Sequence, residues 1–188
     1  MCPAHARTSD AALVAAAREL LQRHGASGVT MSAVGAAVGV RGPSLYKRFA
    51  DRDALLRAVE TEALADLTGQ LLAASDGPPR LTLERMALAY RRFAHAAPAV
   101  YALLFAPGAW DDARVAARAA AAAPLLTVVQ RVVGPEAALP AARMLTAFLH
   151  GWVSMELAGA FRLGGDLEAA FAYALTAALD GIGAARPA

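Results

Sequence analysis

The chain is 188 residues long, 57% hydrophobic, and nearly balanced in charge, with 18 Lys and Arg against 16 Asp and Glu. That length buries a real core and fits one domain or two small ones. A single cysteine, Cys2, excludes an internal disulfide framework and a thiolate zinc site, and a net charge of +2 is too small to imply nucleic acid by itself.

Taken in order, the chain reads as helix after helix punctuated by Gly and Pro, and no run alternates as a strand would. The opening MCPAHARTSD lacks the apolar run of a signal peptide, so the expected location is the cytoplasm. Thr8, Ser9 or Asp10 caps a first helix that passes through Leu13, Leu20 and Leu21 and stops at Gly25. Thr30 and Ser32 start a short second helix that ends at Gly39. Pro43, suited to a first helical position, starts a third that ends near Phe49. Asp51 or Asp53 opens a long fourth helix to about Leu72, halted by SDGPPR. Five more segments follow: Thr82–Ala96, Ala99–Phe105, Asp111–Val133 with Pro124 inside it, Pro140–Phe161 and Asp166–Ile182. The longest run without a charged residue, Phe93–Trp110, contains Pro98, Pro107 and Gly108 and breaks before it could cross a bilayer. The expected class is all-α, and a mean hydropathy of +0.40 predicts surface buried against a second copy of the chain.

Residues 38–56, VGVRGPSLYKRFADRDALL, stand apart from the Ala- and Leu-rich sequence around them, and Lys47 is the only lysine in the chain. Residues 1–60 carry eight Lys and Arg against five Asp and Glu, whereas 61–188 carry ten against eleven, a mildly basic head on a mildly acidic body. Leu45 and Phe49 are four apart and share one helical face, as do Val34 and Val38. Gly39 permits a left-handed cap, Val40 plugs the gap, and Ala37 is expected to let the two helix axes approach. Two short helices joined this way form a helix-turn-helix, whose second helix offers polar groups to the major groove. Lys47, Arg48 and the Tyr46 hydroxyl are the expected donors to phosphates or base edges, with Pro43 and Ser44 beside Lys47. Thr30 brings a hydroxyl and free N–H groups at a helix start, Arg52 is expected to clamp a flanking phosphate, and Arg41 and Gly42 allow close backbone approach. The competing reading is a helical hairpin whose Tyr, Lys and Arg are merely solvated.

The stretch GASGVTMSAVGAAVGVRGPSLYKRFADRDALLRAV (25–59) resembles the DNA-binding domain of tetracycline-repressor (TetR) family regulators. Leu45-Tyr46-x-x-Phe49, at its distance from Gly39-Val40, carries the likeness, which departs at Gly42-Pro43 and at Arg52, where lysine is common. The resemblance implies double-stranded DNA, read at a palindromic operator, as a partner.

Further on, AAPAVYALLF (96–105) and HGWVSMELAGAF (150–161) resemble the C-terminal ligand-binding and dimerisation domain of a TetR subgroup with a Trp-His-Gly type signature. That resemblance implies a small effector. Met86, Tyr90, Phe93, Tyr101, Phe105 and Trp110 are the candidates to line an apolar pocket, with Arg91, His95 and His150 as polar contacts, which favours a hydrophobic or aromatic molecule. Ordinary core aromatics are the alternative. For a homodimer interface, Ala147, Gly151, Ser154 and Ala158 fall within about 60° of one another on a helix, flanked by Met144 and Met155. Phe171, Leu175, Ala178, Leu179 and Ile182 make a second stripe. Both stripes could instead face the core of one chain. Glu156, an acid inside an apolar helix, is expected to pair with Arg162, Arg143 or a partner across the dimer.

No nucleotide, zinc-protease or serine-hydrolase motif occurs, and the four histidines are scattered, so neither enzymatic activity nor a cofactor or metal is expected. The expected organisation is a DNA-binding domain at 8–52 and a ligand and dimer domain at 53–183. A lever helix would join them, with Leu64, Leu67 and Leu71 against the body. A ligand-independent DNA-binding dimer and a helical-bundle enzyme remain as alternatives.

Overall fold

The computed structural model describes residues 9–40, 42–108 and 110–184, with the side chains of Gly42 and Pro43 outside that description. Among the described residues there are nine helices: α1 (Asp10–Gly28), α2 (Met31–Val38), α3 (Gly42–Tyr46), α4 (Arg52–Ala73), α5 (Pro79–Ala96), α6 (Pro98–Leu104), α7 (Asp112–Val133), α8 (Pro135–Leu157) and α9 (Leu167–Ala184). The fold is all-α.

Local chemistry sets the boundaries. Ser9 Oγ accepts the Ala12 N–H at 3.1 Å, Thr30 Oγ1 accepts the Ala33 N–H at 3.1 Å, and Asp51 Oδ1 accepts the Ala54 N–H at 2.7 Å, so each supplies one acceptor to an unpaired helix start. Gly25, at φ 67°, interrupts α1 where the sequence predicted its end, and the chain runs on in a further turn to Gly28. α3 is shorter than predicted: it ends at Tyr46, and Lys47 and Arg48 belong to the closing turn, where the Arg48 and Phe49 N–H groups both reach the Leu45 carbonyl. α8 starts at Pro135 rather than Pro140. Pro135 takes the first helical position, and Pro140 lies close enough to that end to remove little of the hydrogen-bond ladder.

The chain divides into two compact units, and the division differs from the expected boundary after residue 52. The first unit is Met1–Ala63 with Ala97–Arg114, and the second is Leu64–Ala96 with Val115–Ala188. α6 joins the first unit because it packs on α1. The core of that unit is Leu13, Ala17, Leu21, Val34, Leu45, Leu55, Val59 and Val100, all buried. In the second unit α5, α8 and α9 pack on one another around Leu83, Met86, Leu145, Leu149, Val153 and Phe171. Each such side chain removed from water stabilises by about 1.5–3 kcal/mol. Among the described residues α7 is the one helix long and apolar enough to cross a membrane by length and composition; it continues through a buried Pro124, and Arg131 near its end donates to the Gly77 carbonyl at 3.3 Å.

Between α2 and α3 the turn depends on Gly35. The Val40 N–H donates to the Gly35 carbonyl at 2.8 Å, and a Cβ on Gly35 would stand 2.7 Å from the Val40 carbonyl oxygen. Ala37, expected to provide the close approach, is exposed. Gly39 caps α2 at φ 71°, the left-handed region expected of it.

One buried charge organises the second unit. Glu156 has a side chain only 2% exposed, and its partners are neither Arg162 nor Arg143. The Arg91 guanidinium donates to both its oxygens, from Nε to Oε2 at 2.9 Å and from Nη2 to Oε1 at 2.8 Å, and His95 Nε2 lies 2.9 Å from Oε2. Arg91 also reaches Glu168 with two bonds of 2.6 Å and lies 4.6 Å over the Phe171 ring, so α5, α8 and α9 share one knot. Burial pushes the Glu156 carboxyl up, but hydrogen bonds from Arg91 and His95 outweigh it and hold the group below its ordinary value. Hydrogen bonds to Glu168 and then Glu156 raise Arg91 beyond its already high value.

Gly35→Ala is expected to cost about 1–3 kcal/mol in denaturant melts, because the neighbour it meets is backbone. Gly69→Ala, in open space within α4, is expected to add up to about 1 kcal/mol. Glu156→Gln is expected to lower stability at neutral pH by about 1–3 kcal/mol. A carboxyl held low in the folded state stabilises above its ordinary value, and that contribution fades as pH falls. The gap between wild type and Glu156→Gln should therefore close in melts taken progressively below pH 4.5, and a constant gap would contradict the assignment.

Candidate nucleic-acid interface

The residues gathered on α2, the turn and α3 separate into those that hold the fold and those left facing solvent. Leu45 is fully buried and anchors α3, and Val34 does the same for α2. Opposite the anchor, Ser44, Tyr46 and Lys47 are exposed, Tyr46 at 57%. Neither Tyr46 nor Lys47 forms a side-chain hydrogen bond or ion pair with another described residue, so both polar ends remain available to a partner. Thr30 is exposed at the start of α2; its oxygen is used as the cap, which leaves its O–H to donate outward. Gly42 and Pro43 begin α3, and Arg41 lies outside the described residues.

Two of the expected phosphate donors have other work. Arg48 forms an ion pair with Asp10 at 3.0 Å, tying the turn after α3 to the first residue of α1. Arg52 does not point away as a clamp. Its Nε donates to the Val29 carbonyl at 2.8 Å and its Nη2 to the Ala26 carbonyl at 2.5 Å, with Asp53 at 3.4 Å from Nη1. Carbonyls at a helix end lack intrahelical donors, and a planar guanidinium with five N–H groups satisfies two of them at once. Arg52 thus fastens the end of α1 to the start of α4.

Sequence reasoning missed Gly35 and the Asp10–Arg48 tie. A signal existed for the first: a lone glycine inside an eight-residue helix, five positions before Val40, marks a close backbone approach. For the second there was none, because 38 residues separate two exposed charges.

The candidate effector residues do not fall in one unit. Met86, Tyr90 and Phe93 are buried on α5, and His150 on α8 is half-buried, all in the second unit, where α5 and α8 pack together. Burial lowers the His150 pKa, which favours the neutral ring. Tyr101, Phe105 and Trp110 belong to the first unit instead. Tyr101 is buried with its ring 5.2 Å from that of Phe105, while Phe105 is 42% and Trp110 68% exposed, so these two do not line an enclosed pocket. Arg91 and His95 are committed to Glu156.

The two interface stripes part in the same way. Ala147, Gly151, Met155 and Ala158 are exposed and Ser154 is partly so. Phe171, Leu175 and Leu179, predicted at the interface, are instead 2–5% exposed and turn inward with Ile182. Their periodicity was correct, but the partner is their own chain: α9 packs on α5 and α8, and Phe171 meets Trp152 at 5.6 Å between ring centroids.

These features match known proteins along most of the chain. Residues 13–59 match the family described as bacterial regulatory proteins, tetR family, and residues 83–178 match the tetracyclin repressor-like C-terminal domain. An uncharacterized HTH-type transcriptional regulator of Mycobacterium tuberculosis is 34% identical over 158 residues, covering 82% of this chain and 72% of that protein. A solved protein of unknown function from Rhodococcus sp. RHA1 superposes with a TM-score of 0.80 at 27% identity, over 98% of each chain. A TetR variant from Acinetobacter baumannii AYE, in complex with minocycline, shares the fold at 22% identity and a TM-score of 0.70, over 94% of this chain and 97% of that one. With both halves matched, the chain belongs to the TetR family of non-enzymatic, DNA-binding transcriptional regulators.

Proposed function

We propose that the protein is a cytoplasmic homodimeric repressor that holds a palindromic operator and is released from it by a small hydrophobic or aromatic molecule. The observation that carries the DNA half is the exposed Tyr46–Lys47 pair. Arg48 and Arg52 are employed internally, whereas Lys47, the chain's only lysine, forms no ion pair with another described residue and stands next to a half-exposed tyrosine. Lys47 would neutralise backbone phosphate, Tyr46 and Ser44 would donate to phosphate or base edges, and Thr30 would hold a phosphate at the start of α2.

The dimer reading rests on α8. Met144, Ala147, Gly151, Met155 and Ala158 lie on its exposed face, opposite the buried Leu145, Leu149 and Val153, and small residues there let a second α8 approach closely. On α9 Tyr173, 79% exposed, faces outward in place of the buried stripe. Met86, Tyr90, Phe93 and His150 remain the effector candidates, an apolar set with one neutral imidazole to orient a ligand. α4 runs unbroken through the division between units, with Leu55, Leu56 and Val59 buried before it and Leu64, Leu67 and Leu71 after it. Effector binding that tilts α4 would change the spacing of the two reading faces, for which a coupling of about 1–3 kcal/mol suffices.

Selection of duplexes from a random-sequence pool, followed by footprinting, tests the reading. A protected inverted repeat supports it, and a single asymmetric site bound by monomer overturns it. Lys47→Ala is expected to flatten the dependence of log K on log salt by about 0.9 per subunit. Arg52→Ala should leave that slope unchanged and instead lower the melting temperature. Gly151→Glu is expected to sediment as a folded monomer.

A further inference from the structure

A segment far along the chain completes the reading unit, and one side chain ties it there. Arg114, in the first turn of α7, is 9% exposed; its Nε donates at 3.1 Å to Glu60 Oε1, on a side chain 5% exposed. Its Nη2 donates to the Ala106 carbonyl at 3.1 Å, the Trp110 ring lies 5.4 Å from the guanidinium carbon, and Asp111 Oδ1 accepts the Arg114 N–H at 2.8 Å. A Cβ on Gly108 would stand 2.5 Å from Nη1, so the backbone passes as near as glycine allows. Four neighbours, Glu60, Ala106, Gly108 and Trp110, thus converge on one guanidinium, and Asp111 holds its backbone.

A buried ion pair is a poor device for stability, because desolvation offsets its attraction and an apolar pair of similar volume does as well. What the charged pair adds is one permitted geometry, since its hydrogen bonds fail when either partner shifts. Here it acts on α4. At its start, Arg52 fastens α4 to the Ala26 and Val29 carbonyls, immediately before Thr30 and α2. Two turns later Glu60 fastens the same helix to Arg114. All of these residues belong to the first unit.

We propose that Glu60 and Arg114 are positioning residues for DNA binding. The pair holds the first two turns of α4, and through Arg52 the α2–α3 reading face, in the register that fits the major groove. Neither side chain touches DNA.

The test separates register from stability. Affinity for a duplex selected by the wild-type protein and melting temperature are measured for Arg114→Met, for Glu60→Gln, and for Glu60→Met combined with Arg114→Met. Val100→Ala, which empties a buried site on α6 in the same unit, supplies the loss of affinity that follows from lost stability alone. Both single variants are expected to melt lower and bind about tenfold or more weakly, and the double variant to regain melting temperature but not affinity. Amide exchange over residues 52–60 should rise in the double variant while that over 135–157 stays at the wild-type level. Double-variant binding within about twofold of wild type would overturn the proposal. So would Arg114→Met binding no more weakly than Val100→Ala at equal melting temperature. Weak binding with unchanged exchange over 52–60 would place the two side chains on the DNA itself and also overturn it.

Discussion

A five-residue helix has no stability of its own, since the cost of nucleation exceeds what one hydrogen-bonded turn returns. α3, which carries the exposed Ser44 and Tyr46 beside Lys47, is such a helix, and its placement depends on tertiary packing. Leu45 drives it into the core, Gly35 lets the preceding helix carry the turn, and the Arg48–Asp10 pair closes the far side. These constraints leave Ser44, Tyr46 and Lys47 with nowhere to go but outward.

The same economy governs the charges. In a chain with one lysine and 17 arginines, three guanidinium groups of the first unit join elements to one another: Arg52 to the end of α1, Arg48 to its start, Arg114 to α4. Arg91 does the same for the second unit, where it holds two carboxylates and lies over a phenyl ring. A planar group with five donors can bridge several acceptors, whereas an ammonium on a flexible stem serves as a solvated point charge. The division of labour between Arg and Lys47 follows from that chemistry.

Helical periodicity showed which residues share a face without showing what the face meets. The α9 stripe of Phe171, Leu175 and Leu179 was legible and is intact, yet it packs on α5 and α8, while the small-residue stripe of α8 stays exposed. The aromatics proposed as one pocket divided for a similar reason. Tyr101, Phe105 and Trp110 lie on a segment drawn into the first unit by the packing of α6 on α1, a contact between residues some 80 positions apart.

What the sequence by itself determined is local: helix starts within residues 8–10, at Thr30 and within residues 51–53, the left-handed glycine at 39, the anchoring of α3 by Leu45, and the exposure of Tyr46 and Lys47. Each depends on residues within a few positions, whose geometry follows from helix spacing and hydrogen-bond valence. Only the tertiary structure decided which arginines were already engaged, which apolar stripe turned inward, and that residues 97–114 join α1, α2 and α3 in the first unit. Those outcomes depend on encounters across tens of residues, where a charge or an apolar face accepts many partners and the packing of the whole chain selects one.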